Sequence, residues 1–257
     1  MATGPLIVVV GPTASGKTAL AIELAERFNG EIICADSRTV YRGLDIGTAK
    51  PTAAERSRVR HHLLDVVTPD ESFTAADFKR LANEVISDIT SRGKLPIMAG
   101  GSGLYIDAVL FDYQFAPENA ERDPVNPRHI KQGLGHGQGS LREDTLLLGL
   151  QVGRDVLRER IEQRVDTMVE AGLVSEAQWL VERYPVSKAV DAPGYKALRG
   201  YLEGLYSLDE AKALFVRNDM QLAKRQRTWF KRNKSIHWVE NREEAVEIAT
   251  TFLNKKA

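Results

Sequence analysis

The sequence contains a single cysteine, Cys34, which lies in the short apolar run Ile32–Ala35. One cysteine excludes a disulfide within the chain and any metal cluster built on cysteines, and this usage is typical of a reducing compartment. The expected role of Cys34 is that of a small buried hydrophobic residue.

The sequence also lacks an excess of either charge and lacks long hydrophobic runs. Lys+Arg and Asp+Glu both number 35 among 257 residues, so an acidic or basic partner has to be argued from local clusters. No apolar run reaches the ~18 residues of a membrane-spanning helix, and no basic segment precedes the apolar run at 6–10. We therefore expect a cytoplasmic protein with no membrane segment. Its hydrophobic content of 43% is enough for a buried core.

Short apolar runs alternate with helical patterns along most of the chain. Four runs predict buried parallel strands, and a fifth predicts a last strand near the C-terminus: Leu6–Val10, Glu31–Ala35, Leu95–Ala99, Thr145–Val152 and Ile236–Val239. Helices are predicted over Thr74–Ile89, Val156–Ala171 and Leu208–Lys231, the first with Thr74 and Asp77 as a capping box. The alternation predicts an α/β fold with a mostly parallel sheet, flanking helices and a helical C-terminal part.

The stretch 112–144 interrupts this alternation. It contains three prolines and then four glycines at alternate positions from Gly133 to Gly139. No helical stripe of useful length runs through it, so we interpret it as a shortened, partly flexible insert. We expect residues 1–257 to form one domain, with this insert within it.

A glycine-rich motif follows the first predicted strand. Gly11, Pro12, Thr13, Ala14, Ser15, Gly16, Lys17 and Thr18 match G-x-x-x-x-G-K-[ST], and a helical pattern comes directly after them. In this context the backbone N–H groups, Lys17 and the helix N-terminus bind phosphate, and the Thr18 hydroxyl binds Mg²⁺. The motif does not distinguish a nucleoside triphosphate from a small diphosphate ester. A kinase that binds ATP therefore stays open at this point.

Further blocks resemble, in content and order, those of the tRNA dimethylallyltransferases. They read DSRTVYRGLDIGTAKP at 36–51, HHLLD at 61–65, TAADF at 74–78, PIMAGGSGLY at 96–105 and QLAKRQRTWF at 221–230. The resemblance covers nearly the whole chain except 112–144, where the family carries a long helical insert that grips the anticodon stem.

The resemblance implies a P-loop fold that binds dimethylallyl diphosphate with Mg²⁺ and alkylates N6 of an adenine at position 37 of the tRNA anticodon loop. It implies that Asp36 is the base that takes a proton from N6, with Ser102 near the reacting groups. The bases and backbone of tRNA would contact Ser37, Arg38 and Thr39. We expect the active form to be a monomer.

Three features have simpler structural explanations. Asp36 follows a predicted strand and could cap the next turn, although the family context favours catalysis.

The segment Lys224–Lys234 has six basic residues in eleven, which is common on a solvated helix face. We interpret its charges, Lys224, Arg225 and Arg227 among them, as contacts for RNA backbone or diphosphate. The adjacent His61 and His62 are interpreted as structural, since neighbouring side chains diverge and no third metal ligand is spaced nearby.

Two departures from the family pattern leave other functions open. Thr39 stands where the family has Gln, and Asp219-Met220 stands where it has Thr-Arg, an arginine implied to approach the diphosphate. Either Lys224 or Arg225 replaces that charge, or the donor binds more weakly. Prenylation of free adenine nucleotides, favoured by the short insert, and RNA binding without catalysis are the alternatives.

Overall fold

A computed structural model describes residues 4–115 and 139–256. Its sheet has the strand order β3-β2-β4-β1-β5-β6, and every pairing is parallel. In chain order the strands are β1 Leu6–Val10, β2 Gly30–Cys34, β3 His61–His62, β4 Leu95–Gly100, β5 Thr145–Leu150 and β6 Ile236–Val239. The expected α/β class with a parallel sheet is confirmed.

Helices connect the strands and form a separate group near the C-terminus. Within the described ranges they are α1 Lys17–Arg27, α2 Ala53–Arg58, α3 Ala75–Ser91, α4 Gly103–Leu110, α5 Arg154–Glu170, α6 Leu173–Arg183, α7 Pro193–Leu202, α8 Leu208–Phe230 and α9 Arg242–Asn254. A short 3-10 turn at Lys188–Asp191 joins α6 to α7.

Strand β1 lies in the middle of the sheet and is buried on both faces. Ile7 and Val9 pack in a core layer with α1 and α9, whereas Leu6, Val8 and Val10 pack in a second layer with α3 and α4. Alternate side chains of a strand point to opposite faces, so a strand covered by helices on both sides reads as one continuous apolar run. That is why the run was recognisable in the sequence.

Helices α5 to α8 surround a third core cluster beside the sheet. This cluster contains Tyr195 and Phe215 together with Val40 and Leu44, which follow β2 in the chain. The helical part therefore packs on loops at the carboxyl edge of the sheet, where ligands bind in parallel α/β folds.

Most predicted elements are confirmed to within a few residues. Thr74 caps α3, and its side chain and that of Asp77 form the expected capping box. Cys34 is buried, 7% exposed. The predicted strand at 145–152 was too long by two residues, since β5 ends at Leu150. Strand β3 was not predicted, because two half-buried histidines at the sheet edge give no apolar pattern.

The predicted insert at 112–144 lies largely outside the described residues, which stop at 115 and resume at 139. Its shortened, partly flexible character, and the single-domain reading of 1–257, stay predictions.

Candidate active site

The loop Gly11–Thr18 leads from the end of β1 into α1, in the strand–loop–helix context that the motif requires. At Gly11 a Cβ would lie 2.9 Å from Ser15 Oγ and 3.2 Å from the Leu150 carbonyl oxygen. Gly16, directly before α1, has a φ of 95°, a left-handed conformation that favours glycine. These glycines permit the tight turn that leaves the first N–H groups of α1 available to an anion.

Side chains from two distant helices fix this loop. The Thr13 backbone N–H donates to Gln226 Oε1 of α8 at 2.8 Å, and Gln226 Nε2 donates to the Gly101 carbonyl oxygen at 3.1 Å. Arg164 Nη2 of α5 donates to Thr13 Oγ1 at 2.9 Å. The loop is therefore held in place before any ligand binds.

Two buried polar atoms at this loop have no hydrogen-bond partner among the described residues. They are Ser15 Oγ, in the loop itself, and Nε of Arg164, which is bonded to the loop through Thr13. An unpaired buried polar group costs about 1–3 kcal/mol. The loop therefore has unused hydrogen-bonding capacity of the kind that anion oxygens satisfy.

Lys17 extends from the first turn of α1 into the same region. Its Nζ donates to the Pro12 carbonyl oxygen at 2.7 Å. Burial lowers the pKa of Lys17 to about 8, the nearby Asp36 carboxylate opposes that change, and Arg164 adds to it. The three side chains therefore affect one another electrostatically, and a bound anion would favour the charged form of Lys17.

Asp36 follows the end of β2 and takes part in a turn there. Its Oδ1 accepts a hydrogen bond from the Arg38 backbone N–H at 2.8 Å, while its Oδ2 has no partner among the described residues. The carboxylate also lines the cleft described below. One oxygen therefore shapes the turn and the other remains available, so the turn role and a catalytic role are compatible.

Ser102 is held next to Asp36 by a hydrogen bond to the backbone of the following residue, Ser37. Its Oγ accepts from the Ser37 N–H at 2.9 Å, and its own N–H donates to the Ala35 carbonyl oxygen at 3.1 Å. A Cβ at Gly100 would lie 2.0 Å from that Ala35 oxygen, so glycine is required for β2 and β4 to approach at this point. The GGSG segment therefore brings the Ser102 hydroxyl next to the loop that carries Asp36.

Most of these groups border one cleft of about 700 Å³ at the carboxyl edge of the sheet. The sheet and its loops contribute Thr13, Ala14, Gly16, Lys17, Thr18, Asp36, Ser37, Arg38, Thr39 and Ser102. Helices α5 and α8 contribute Arg160, Arg164, Phe215, Asp219, Leu222, Arg225 and Gln226. Gly11, Pro12 and Ser15 lie behind these residues in the loop. The predicted phosphate-binding and catalytic residues are thus brought together.

The predicted acceptor residues Ser37, Arg38 and Thr39 also line this cleft. Thr39 is buried, 6% exposed, and its Oγ1 donates to the Asp36 carbonyl oxygen at 3.4 Å. Arg38 reaches the Lys188 carbonyl oxygen at 2.9 Å, which ties this loop to the helical part.

Helix α8 separates the cleft from a second depression of about 830 Å³. Of the predicted RNA-binding residues on this helix, Arg225 faces the cleft, whereas Lys224 and Arg227 line the second depression. Six cationic residues border it, and we call it the basic groove: Arg154, Arg158, Arg217, Lys224, Arg227 and Lys231. Its lining has no acidic residue and includes Leu157, Val216 and Met220.

Met220 therefore belongs to the basic groove, and Asp219 is its neighbour that faces the cleft. The sequence interpretation expected Lys224 or Arg225 to supply a missing cation, but Lys224 faces away from the cleft. Arg160, Arg164 and Arg225 supply cationic side chains there. The Asp219 carboxylate accepts from Arg164 Nη2 at 2.5 Å.

Arg164, Asp219 and Gln226 are among the site residues that the sequence did not assign to this cleft. The helical repeat places positions 219, 222 and 226 on one face of α8. Had Gln226 been recognised as a cleft residue, this spacing would have predicted that Asp219 also faces the cleft.

Other residues of the 36–51 block form two hydrogen-bond networks. Lys50 Nζ donates to Asp45, to Asp65 and to the Tyr41 carbonyl oxygen at 2.5–2.7 Å. The Glu176 carboxylate accepts from the N–H groups of residues 45–47 at 2.7–2.9 Å. Both networks hold the loop that covers the helical core, and the second network meets the cleft at Gly47.

The described residues contain no group of three or more His, Cys, Asp and Glu side chains that could hold a metal ion. His61 Nδ1 contacts the Val59 carbonyl oxygen and His62 Nε2 contacts Glu31, so the two rings have separate structural partners. Thr18 does line the cleft. Its hydroxyl suits Mg²⁺, which keeps waters and takes most other ligands from substrate phosphates.

Within residues 4–115 and 139–256, no helix is long and apolar enough to span a membrane.

Comparison with known proteins identifies a family of transferases. Residues 39–143 and 124–233 match the family described as IPP transferase. A tRNA dimethylallyltransferase of Staphylococcus epidermidis is 37% identical over 307 aligned positions, covering 98% of this chain and 92% of the relative. A tRNA dimethylallyltransferase 2 of Geotalea daltonii is 41% identical, covering 91% of this chain and 87% of the relative. The first alignment is longer than this chain, so that relative contains residues that this chain lacks.

A solved structure has the same fold. The full-length tRNA isopentenylpyrophosphate transferase of Bacillus halodurans superposes with a TM-score of 0.85 at 36% identity. The match covers 99% of this chain and 97% of that one.

Proposed function

Since this chain belongs to the IPP transferase family, we propose that it transfers a dimethylallyl group from dimethylallyl diphosphate to N6 of adenine 37 in the tRNA anticodon loop. The observation that carries the proposal is that Lys17 of the phosphate loop and Asp36 line the same cleft. The cleft then offers a cation for a diphosphate and, near it, a carboxylate for a group that must lose a proton.

The phosphate loop would bind the diphosphate of the donor. Its contacts would come from the N–H groups at the start of α1, from Lys17 and from the free N–H groups of Arg164. As the allylic C–O bond breaks, its electron pair and the negative charge pass to the diphosphate. Donors that are already in place stabilise that charge without reorganising.

Asp36 would act as the base. The lone pair of adenine N6 is delocalised into the ring, so the amine is a weak nucleophile. Asp36 Oδ2, which has no partner among the described residues, would accept one N6 proton as the new C–N bond forms. The products are N6-dimethylallyl adenine, inorganic diphosphate and the proton carried by Asp36. Ser102 would keep the Asp36 loop in position through its bond to Ser37.

Mg²⁺ is the proposed cofactor. Thr18 is the side chain that would hold it, together with the diphosphate oxygens. When bound, the ion supplies positive charge to the leaving diphosphate.

The acceptor would be a whole tRNA and not a free nucleotide. A free adenine nucleotide would occupy the cleft alone and leave the basic groove without a ligand. This groove, on the other side of α8, suits the phosphates of a longer RNA. Ser37, Arg38 and Thr39 would contact the target base, and Arg225 the neighbouring phosphates. One chain contributes every group in this scheme, so we propose that a monomer acts on tRNA in the cytoplasm.

A transfer assay tests the proposal. Dimethylallyl diphosphate and Mg²⁺ are incubated with an anticodon stem-loop containing adenine 37, and the digested nucleosides are analysed by mass spectrometry. A prenylated adenine is expected, and it should disappear when adenine 37 is replaced by guanine. AMP as acceptor tests the free-nucleotide alternative, and equal kcat/KM for AMP and stem-loop would favour it. ATP consumption in the absence of prenyl transfer would instead point to a kinase.

A further inference from the structure

Arg164 and Asp219 form a buried ion pair on the wall of the cleft. Arg164 Nη2 lies 2.5 Å from Asp219 Oδ2, and the two side chains are 25% and 5% exposed. The same Nη2 donates to Thr13 Oγ1 of the phosphate loop. The pair therefore joins α5, α8 and the phosphate loop at the place where an anion is expected to bind.

Arg164 has donors to spare in this arrangement. Its Nε is buried without a partner, and its Nη1 has no hydrogen bond to a described residue. A planar guanidinium with free N–H groups beside a phosphate loop is well suited to phosphate oxygens. Thus Arg164 can bind an anion without first leaving Thr13.

Asp219 acts against such binding. Its carboxylate faces the cleft, where the negative charge of Asp36 is also close enough to raise its pKa. Burial raises the pKa of Asp219 most, and the adjacent Arg164 lowers it. A carboxylate in this place balances the charge of Arg164 while the cleft is empty and repels an anion that enters.

We propose that Asp219 is an internal counter-ion that competes with diphosphate for Arg164 and so lowers the affinity of the cleft for the donor and for released diphosphate. This inference rests on the proposed function, because it requires that the cleft bind a diphosphate. The competing carboxylate offsets the charge of Arg164 before the donor arrives. After transfer it replaces the diphosphate as partner of Arg164, which favours product release.

Binding of inorganic diphosphate, measured by calorimetry with Mg²⁺ at fixed pH, tests the inference without depending on prenyl transfer. Asp219→Asn keeps the shape and one acceptor oxygen for Arg164 but removes the charge. We expect it to bind diphosphate roughly five- to tenfold more tightly, the effect of removing one unit charge several ångströms from a bound anion. The KM for dimethylallyl diphosphate and the inhibition constant of diphosphate should fall together. Arg164→Gln should bind diphosphate more weakly than wild type.

The chain contains a matched control for this pair. Asp166 of α5 pairs with Lys212 of α8, so Asp166→Asn also removes one ion pair between these helices. We expect its diphosphate affinity to equal that of wild type. Thermal unfolding checks that each variant is folded, and Asp219→Ser is the second variant should Asp219→Asn fail to fold.

Unchanged or weaker diphosphate binding by the folded Asp219 variant would overturn the inference and leave the proposed transferase intact. An equal gain in the Asp166→Asn control would also overturn it. If wild-type protein binds no diphosphate at all, the donor site itself is wrong.

Discussion

Gln226 Oε1 accepts a hydrogen bond from the backbone N–H of Thr13 at 2.8 Å, although the two residues are 213 positions apart in the chain. The same amide donates to the Gly101 carbonyl oxygen at 3.1 Å. A Cβ at Gly101 would lie 2.1 Å from Gln226 Nε2, so this loop must carry glycine for the contact to form. One buried side chain of α8 thereby sets the position of the phosphate loop relative to the loop of Ser102.

Replacing Gln226 should therefore damage both stability and catalysis. Gln226→Leu is close in size but leaves the Thr13 N–H and the Gly101 carbonyl without their partner. We expect a loss of about 1–3 kcal/mol in the free energy of unfolding. A misplaced phosphate loop should also lower kcat/KM by about tenfold or more. Gln178→Leu, on the exposed face of α6, is the control and should change neither value. Wild-type kcat/KM in Gln226→Leu would show that the loop does not need this bond.

The pKa of Lys17 predicts how diphosphate affinity depends on pH. Burial lowers this pKa to about 8 in the free protein, and a bound diphosphate should raise it again. Affinity should then be full below about pH 8 and fall as the free lysine loses its proton above that value. Lys17→Arg stays charged, so its affinity should fall less between about pH 7 and pH 9.5. The ionisation of diphosphate itself affects both proteins equally. Parallel curves for the two would contradict the assignment of Lys17.

Removing the charge of Lys17 should have a larger effect. Lys17→Ala should weaken binding of dimethylallyl diphosphate and slow transfer together, since one cation serves both the ground state and the departing diphosphate. Steady-state kinetics and diphosphate calorimetry measure the two effects. Near wild-type values for both would remove the phosphate site from this loop.

Asp36→Asn tests the proposed base. The amide oxygen can still accept from the Arg38 N–H, so the turn after β2 should survive, but the group can no longer take a proton. We expect kcat to fall by roughly 10²–10⁴ while thermal unfolding stays near wild type. Wild-type turnover would leave Asp36 with its turn role alone.

The basic groove predicts that tRNA binding depends strongly on salt. If about five phosphates are contacted, log K should fall with log[salt] at a slope of roughly −3 to −5. Neutralising Lys224 and Arg227 together, as Lys224→Gln/Arg227→Gln, should make that slope shallower by roughly 1.5. The rate with saturating stem-loop should change little. Lys255→Gln, just after α9, is the control and should leave the slope unchanged. An unaltered slope in the double variant would place the RNA elsewhere.

The parts of this fold that depend on local pattern were predictable from the sequence. Strand β1 is apolar throughout because both its faces are covered by helices. The phosphate loop is recognisable because its tight turn requires glycine at fixed positions. Strand β3 was missed because its pairing with β2 is set by backbone geometry at the sheet edge. Two residues are too few to show a periodic pattern.

The walls of the cleft were less accessible to sequence reasoning. Asp219 and Met220 are neighbours, yet the first faces the cleft and the second the basic groove. Only the rotation of α8 against the sheet decides between them, and contacts such as that of Gln226 with Thr13 fix that rotation. Because such contacts join residues far apart in the chain, no local sequence pattern predicts them. The roles of Asp36, Ser102 and the tRNA-binding residues stay predictions until the variants are measured.

The long separation between Thr13 and Gln226 has a consequence for synthesis of the protein. A ribosome makes the phosphate loop long before the helix that holds it. Strand β1, at the centre of the sheet, likewise pairs with its second neighbour, β5, only after a long further stretch of chain has been made. A nascent chain can therefore form its first α/β unit early, but it acquires a fixed phosphate loop only when α8 has left the ribosome. Activity should thus appear only after α8 has been made, and chains released before α8 should be inactive.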